Sequence, residues 1–318
     1  MTTFGYWLSC EEHLPNDLVR YARRAEEVGF SFGMISDHFH PWLGQQGQSP
    51  FVWSVIGGIA QATEQLRLGT GVTCPTMRMH PAIVAHAAAT AATMMPERFF
   101  LGVGTGERLN EHILGNHWPP PNIRLEMLEE AIEVIRGLWS GKMQRHWGHY
   151  YTVENARLYT LPATPPQLLV AATGKSATAT AARQGDGLIA VVPQGGMVEQ
   201  FRAAGGEGKP CYGQIKVCWA RDDAEARRIA HTWFPTEALP GKLLPELPTP
   251  SYFEQAVDLV GEDAVAEAIV CSADPERHIT AIRKFANAGF DHICIHQVGP
   301  DQEGFFRFYQ QEVLPNLA

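Results

Sequence analysis

The chain reads as a (β/α)8 barrel, an α/β fold of the TIM type with insertions. Three observations predict it. Short apolar strands alternate with amphipathic or alanine-rich helices along the whole sequence. Eight such units fit into 318 residues. The chemically interesting residues fall just after strands, where a barrel carries its chemistry. An open doubly wound sheet is the competing architecture, and the strand count favours closure.

The elements follow in order. Phe4–Ser9 is a short apolar strand. Pro15-Asn16-Asp17 opens a helix whose Leu18, Tyr21, Ala22, Ala25 and Val28 recur at helical spacing, and Gly29 stops it. Phe32–Ser36 is the second strand, Phe51–Thr63 a helix, Leu66–Thr73 the third strand and Pro81–Met95 an alanine-rich helix. Phe99–Val103 is the fourth strand and Arg124–Trp139 an amphipathic helix. Met143–Tyr159 reads as a β-hairpin excursion, within an insertion spanning 142–161. Gln167–Ala172, Gly187–Val192 and Gln214–Ala220 continue the strands, with helices at Ser176–Gln184 and Asp222–His231. Phe234–Pro250, with its prolines, looks like a loop, part of an insertion at 234–261 over one barrel face; Tyr252–Val260 is helical. Ala268–Cys271 is ambiguous. Asp274-Pro275-Glu276 starts a helix, His292–His296 is the last strand and Phe305–Leu314 a closing helix. The whole, 1–318, reads as one domain.

Composition excludes several functions. The net charge of −9 disfavours nucleic acid, whose phosphates need a basic face. No apolar run is long enough to span a membrane, and Met1-Thr2-Thr3-Phe4 lacks the features of a signal peptide. The six cysteines form no C-x-x-C pair and read as reduced thiols, as in a cytoplasmic protein.

Four strand ends carry the candidate chemistry. After the second strand, Asp37-His38-Phe39-His40-Pro41-Trp42 sets an acid, two imidazoles and an indole together. A His there can act as a general base and a Trp can wall a flat ring. His38 and His40 form an H-x-H pair, but no third ligand stands at suggestive spacing, so no metal is expected. The bland reading is a turn capped by Asp37 with packed histidines. Next, Gly69-Thr70-Gly71-Val72-Thr73-Cys74 permits close approach of a ligand to backbone, or is a mere kink. In Gly102-Val103-Gly104-Thr105-Gly106-Glu107 the dinucleotide spacing fails at Leu109; Glu107 could exchange a proton with a bound ring or simply favour a helix dipole. Finally, Ala171-Ala172-Thr173-Gly174-Lys175-Ser176 runs from strand to helix start, an anion site or a plain cap by Ser176. Together the four suggest one flat, phosphate-bearing redox cofactor of the flavin type.

The strings Ser36–Trp42, Leu101–Glu107, Leu138-Trp139-Ser140-Gly141 and Gly185-Asp186-Gly187 resemble the luciferase-like barrel superfamily. More narrowly, they resemble its F420-dependent glucose-6-phosphate dehydrogenases, over essentially the whole chain. The resemblance implies coenzyme F420, a deazaflavin, rather than a nicotinamide. It implies that His38 takes the alcohol proton while the alcohol carbon gives hydride to C5. Trp42 would steady the reacting complex and Glu107 protonate N1 of the reduced ring. It further implies cofactor contacts at Asp37, at Gly71 and Val72 (commonly through a non-prolyl cis peptide), at Cys74 where relatives have Thr, at Asn110, and at Ala172, Thr173, Gly174 and Lys175 around the phosphate. A homodimer is the implied assembly.

The departures concern the substrate. The family's sugar-phosphate site uses three cations. Gln194 stands at one position and Glu267 near another, while Lys242 is the candidate for the third. Pro235–Glu267 holds one Lys and seven acids, which would repel a dianion. The expected substrate is therefore an uncharged secondary alcohol or ketone, in a pocket between Trp42, Gln194 and Leu239–Phe253. Alternatives are a sugar-6-phosphate dehydrogenase, a reductase using reduced F420, a flavin mononucleotide monooxygenase and a non-catalytic binding barrel.

Overall fold

Eight parallel strands pair in chain order: β1 (Thr3–Leu8), β2 (Phe32–Ile35), β3 (Arg67–Thr70), β4 (Phe99–Val103), β5 (Gln167–Ala171), β6 (Gly187–Ala190), β7 (Cys211–Cys218) and β8 (His292–Gln297). β8 pairs back onto β1, with Thr3 opposite His292, so the sheet closes into a barrel. The computed structural model describes residues 2–190, 196–241 and 243–317. Gln194 and Lys242, both expected in the substrate pocket, lie outside the described residues.

Alternation along the strands decides what fills the bore. Trp7, Phe32, Phe100, Leu169, Ile189 and Tyr212 point inward and form one buried cluster. Glycine makes room for them: a Cβ on Gly69 would sit 2.0 Å from the Phe100 ring. The opposite faces pack on the surrounding helices. The helix Pro15–Val28 shows the logic. Proline sits at its start, Asp17 lies in its first turn, and Leu18, Tyr21, Ala22, Ala25 and Val28 are buried on one face. Gly29, at φ 104°, ends it by donating its N–H to the carbonyls of Ala25 and Glu26.

Some elements differ from expectation. β7 starts at Cys211 rather than Gln214, because Tyr212 packs edge-on to Phe32 in the bore. Val270–Cys271, ambiguous in sequence, pairs with the end of β7. The stretch expected as a loop at Phe234–Pro250 contains a 3-10 turn at Pro235–Ala238 and a short helix at Leu243–Glu246. Pro235 and Pro250 stand at helix starts, where a missing N–H costs nothing. A five-residue helix, Met197–Phe201, is too short to show a sequence period. The hairpin strands are Gln144–Trp147 and Thr152–Ala156. Glu130 of the helix Pro121–Trp139 holds the hairpin by accepting from the backbone of His149, Tyr150 and Tyr151. Among the described residues no helix is long and apolar enough to cross a membrane.

Candidate active site

The loops after β1 to β4 meet over the carboxyl end of the barrel. His38 follows β2 and is enclosed, its side chain only 10% exposed. Its Nδ1 lies 3.2 Å from Glu11 Oε1 and 3.3 Å from the carbonyl oxygen of His40. Two acceptors at one ring nitrogen favour the proton on Nδ1, which leaves the lone pair on Nε2. Nε2 faces Glu107, 3.9 Å from its Oε2. Trp42 stands edge-on to His38 with ring centres 5.0 Å apart.

Glu11 was not singled out in the sequence. The signal was present: Glu11-Glu12 follows an apolar strand, the rule that selected the other strand ends. Burial alone would raise the Glu11 carboxyl. His38 beside it, with hydrogen bonds from Ser36, its own backbone and Ser9, outweighs that and holds it below the usual carboxylate range. The Ser36 and Ser9 hydroxyls donate to Glu11 Oε2 at 2.7 and 3.0 Å. Glu11 thus stays anionic against Nδ1.

Asp37 is fully enclosed. Its carboxylate accepts from Thr73 Oγ1 at 2.7 Å and pairs with Arg78 Nη2 at 2.8 Å. Glu111 accepts from the Arg78 backbone N–H at 2.8 Å. These contacts make the Asp37 side chain a brace between three loops. Asn110 has a similar place. Its Oδ1 accepts from the backbone N–H groups of Phe39 and His40, and its Nδ2 donates to Glu107 Oε2 at 3.3 Å. It ties the β2 loop to the β4 loop and aims Glu107. His40 donates from Nδ1 to the Leu109 carbonyl at 2.9 Å. Among the described residues no group of three or more His, Cys, Asp or Glu is placed to hold a metal.

The glycines form a cradle. Gly71-Val72 is a cis peptide. A Cβ on Gly71 would lie 2.6 Å from the Trp7 ring, and one on Gly104 would lie 2.7 Å from Val72 Cγ2. Gly106 adopts φ 76°, and a Cβ there would lie 2.6 Å from Cys74 Sγ. Backbones of the β3 and β4 loops can therefore lie flat beside each other. Cys74 is buried 2.9 Å from Thr76 Oγ1, and burial pushes its thiol well up, so it packs as a neutral group. Ala172 is buried, with its N–H donated to the Ile189 carbonyl. Thr173, Gly174 and Lys175 are exposed at the start of the helix Lys175–Gln184. Gly174, not Ser176, is the cap residue, and no side chain caps that end. Its first N–H groups are open to an anion.

Two further pairs of ionisable groups lie toward the carboxyl end of the barrel. Glu12 Oε2 is 3.0 Å from His296 Nε2, and the Gly299 N–H donates to Glu12 Oε1. Burial raises the Glu12 carboxyl to about 7 and lowers His296 to about 3. Lys216, on β7, pairs with Glu237 at 2.5 Å.

A family model described as luciferase-like monooxygenase matches residues 2–292. The chain belongs to this luciferase-like family. It is 35% identical to an F420-dependent glucose-6-phosphate dehydrogenase of Kribbella flavida, with 98% of this chain and 97% of that one covered. It is 33% identical to a protein of that name from Microbacterium testaceum, covering 99% and 97%. Among solved structures it resembles an F420-dependent secondary alcohol dehydrogenase in complex with an F420-acetone adduct, with TM-score 0.92, 30% identity and 100% and 99% of the two chains covered. A coenzyme F420-dependent tetrahydromethanopterin reductase from Methanopyrus kandleri shares the fold, at TM-score 0.80 and 19% identity, covering 100% and 99%. Beside the His38 cluster, this luciferase-like chain packs an apolar group. Trp42 packs edge-on to Phe253, with Leu239 and Leu43 in the same buried cluster.

Proposed function

We propose that this chain is a coenzyme F420-dependent dehydrogenase that oxidises an uncharged secondary alcohol to a ketone. The observation that carries the reading is His38, whose Nδ1 is held by Glu11 and the His40 carbonyl while Nε2, beside Glu107, has no hydrogen-bond partner among the described residues. Relatives named for F420-dependent oxidation of an alcohol support the cofactor.

The residues fit a flat ring with an anionic tail. Gly71, Val72 and Gly104 supply a floor that any Cβ on either glycine would disrupt. Thr173, Gly174 and Lys175 supply a helix end and a cation for a phosphate. Bound F420 supplies a two-electron acceptor that takes hydride at C5. The chain's own work is proton handling and exclusion of water. His38 Nε2 takes the hydroxyl proton as the alcohol carbon loses its hydride. Glu11 keeps the resulting imidazolium paired and oriented. Glu107, aimed by Asn110, would be the group that supplies a proton to the bound ring. Trp42, backed by the buried Leu239 and Phe253, would give the alcohol an apolar wall.

Several of the seven acids in Pro235–Glu267, expected in sequence as a repulsive field, are instead engaged within the fold. Glu237 is paired with Lys216, and Glu246 with Arg124 at 2.8 Å. Glu254 accepts from the Gly44 N–H at 3.0 Å. They fasten the insertion to the barrel. The preference for an uncharged substrate therefore rests on the apolar wall and on the absence of an unpaired cation at Lys216. Reaction in the direction of ketone reduction uses the same groups in reverse. Assay of F420 reduction with 2-propanol and with glucose 6-phosphate tests the reading; comparable efficiency with the sugar phosphate would sink it. Tight flavin mononucleotide binding without F420 binding would point to a monooxygenase instead.

A further inference from the structure

A row of side chains crosses the bore just below the cleft. Lys216 on β7 stands opposite His296 on β8 in register. His296 stacks on Trp7 of β1, with ring centres 5.8 Å apart. The Trp7 ring tip lies under Gly71, so close that a Cβ there would meet it at 2.6 Å. Lys216 therefore belongs to the layer that supports the cis-peptide floor, on the side of the bore across from β3. Its inward direction follows from alternation with Tyr212, two pairs of residues earlier on the same strand and buried in the bore.

Lys216 is 15% exposed, and its charge is met by Glu237, itself 23% exposed. Glu237 comes from the 3-10 turn Pro235–Ala238, part of the insertion over the site. Phe234, one residue before that turn, lies edge-on to His296 at 5.0 Å and beneath the Lys216 ammonium at 5.8 Å. It also joins the cluster against which Trp42 packs. The ion pair thus sits between the bore and the wall carrying Trp42. An ammonium partly out of water and turned inward near the carboxyl end of the barrel is an anion receptor unless something neutralises it. Here a carboxylate from the chain itself occupies that place.

We propose that Glu237 is an internal counter-anion that sets substrate charge: by holding Lys216 it keeps the pocket for uncharged alcohols, and without it Lys216 would accept the carboxylate or phosphate of an anionic alcohol. This rests on the dehydrogenase reading for its kinetic test, but the ion pair can also be probed without turnover. Glu237 is a specificity-determining residue that acts through Lys216.

The kinetic test compares 3-hydroxybutyrate with its neutral isostere 3-hydroxybutyramide, both secondary alcohols, in F420 reduction by the intact enzyme. The quantity read is the ratio of kcat/KM for the anion to that for the amide. In Glu237→Gln, and independently in Glu237→Ala, the ratio rises about tenfold or more over the unsubstituted protein. In the double variant Lys216→Met with Glu237→Gln the rise disappears. Lys216→Met alone, which leaves Glu237 unbalanced, lowers the ratio. An unchanged ratio in both Glu237 variants, or a rise that survives loss of Lys216, overturns the proposal. Calorimetric titration with butyrate, without cofactor, reads the same device independently: Glu237→Gln tightens butyrate binding about tenfold, and unchanged binding counts against the proposal. If neither alcohol is oxidised by any variant, the dehydrogenase reading fails while the butyrate titration still decides the ion pair.

Discussion

His38 has unlike neighbours on its two nitrogens, and its chemistry follows from that difference. On the proposed mechanism, replacing it with Ala removes the base. His38→Ala is expected to lower kcat by about 10²–10⁴-fold while F420 binding, measured by equilibrium titration, stays within a few-fold. Glu11 acts through His38, so it is a positioning residue. A hydrogen bond to a charged partner contributes about 1.5–3 kcal/mol, and its loss in Glu11→Gln translates to about 10–100-fold in kcat. KM for the alcohol should hardly move; a drop confined to KM would contradict the assignment. Glu12 makes a different prediction. Its carboxyl ionises near 7 in the folded protein against 4.5 as the reference. The folded state therefore holds that proton more tightly. Its contribution to stability is full below about pH 4.5 and is lost as the pH rises through 7, a swing on the order of 3 kcal/mol. Gln mimics the protonated acid. Glu12→Gln should stabilise the protein against urea at pH 8 relative to pH 5 by that order, and equal effects at both pH values would disprove the account.

At the level of elements, the β3 and β4 loops depend on glycine backbone. Gly106→Ala meets both an unfavourable φ of 76° and Cys74 Sγ at 2.6 Å. Thermal denaturation should show a loss of about 1–3 kcal/mol, together with lower turnover because Glu107 is displaced. At the helix Lys175–Gln184, Lys175→Ala should weaken F420 binding and reduce its salt dependence, as expected for one lost charge contact to a phosphate. Much of this was legible in the sequence. Strand ends are marked by apolar runs, and the residues just beyond them, His38, Trp42, Gly71 and Glu107, stand out by type. The residues that organise them did not stand out. Glu11, Arg78 and Glu111 owe their roles to partners that the folded chain brings from other strands, and no local period reports such pairing. Lys216 and Glu237 look in sequence like an ordinary strand residue and one acid among several. The helix turns in 234–250 were hidden because prolines that start helices look the same as prolines that prevent them.

Across the molecule, one barrel brings four loops to one end. The segment 234–261 is fastened by its charges: Glu237 on Lys216, Glu246 on Arg124 and Glu254 on the Gly44 backbone. Its apolar residues Leu239 and Phe253 are thereby pressed against Trp42. On the proposed reading this is a site with a base, a neutralised cation and an apolar wall, suited to an alcohol without charge. The most direct test is the steady-state reduction of F420 by the purified protein, with 2-propanol and glucose 6-phosphate compared under one set of conditions. The account predicts a kcat/KM for the neutral alcohol at least about 100-fold above that for the sugar phosphate, a gap of roughly 3 kcal/mol in transition-state binding. Equal efficiency, or a preference for the sugar phosphate, would contradict it.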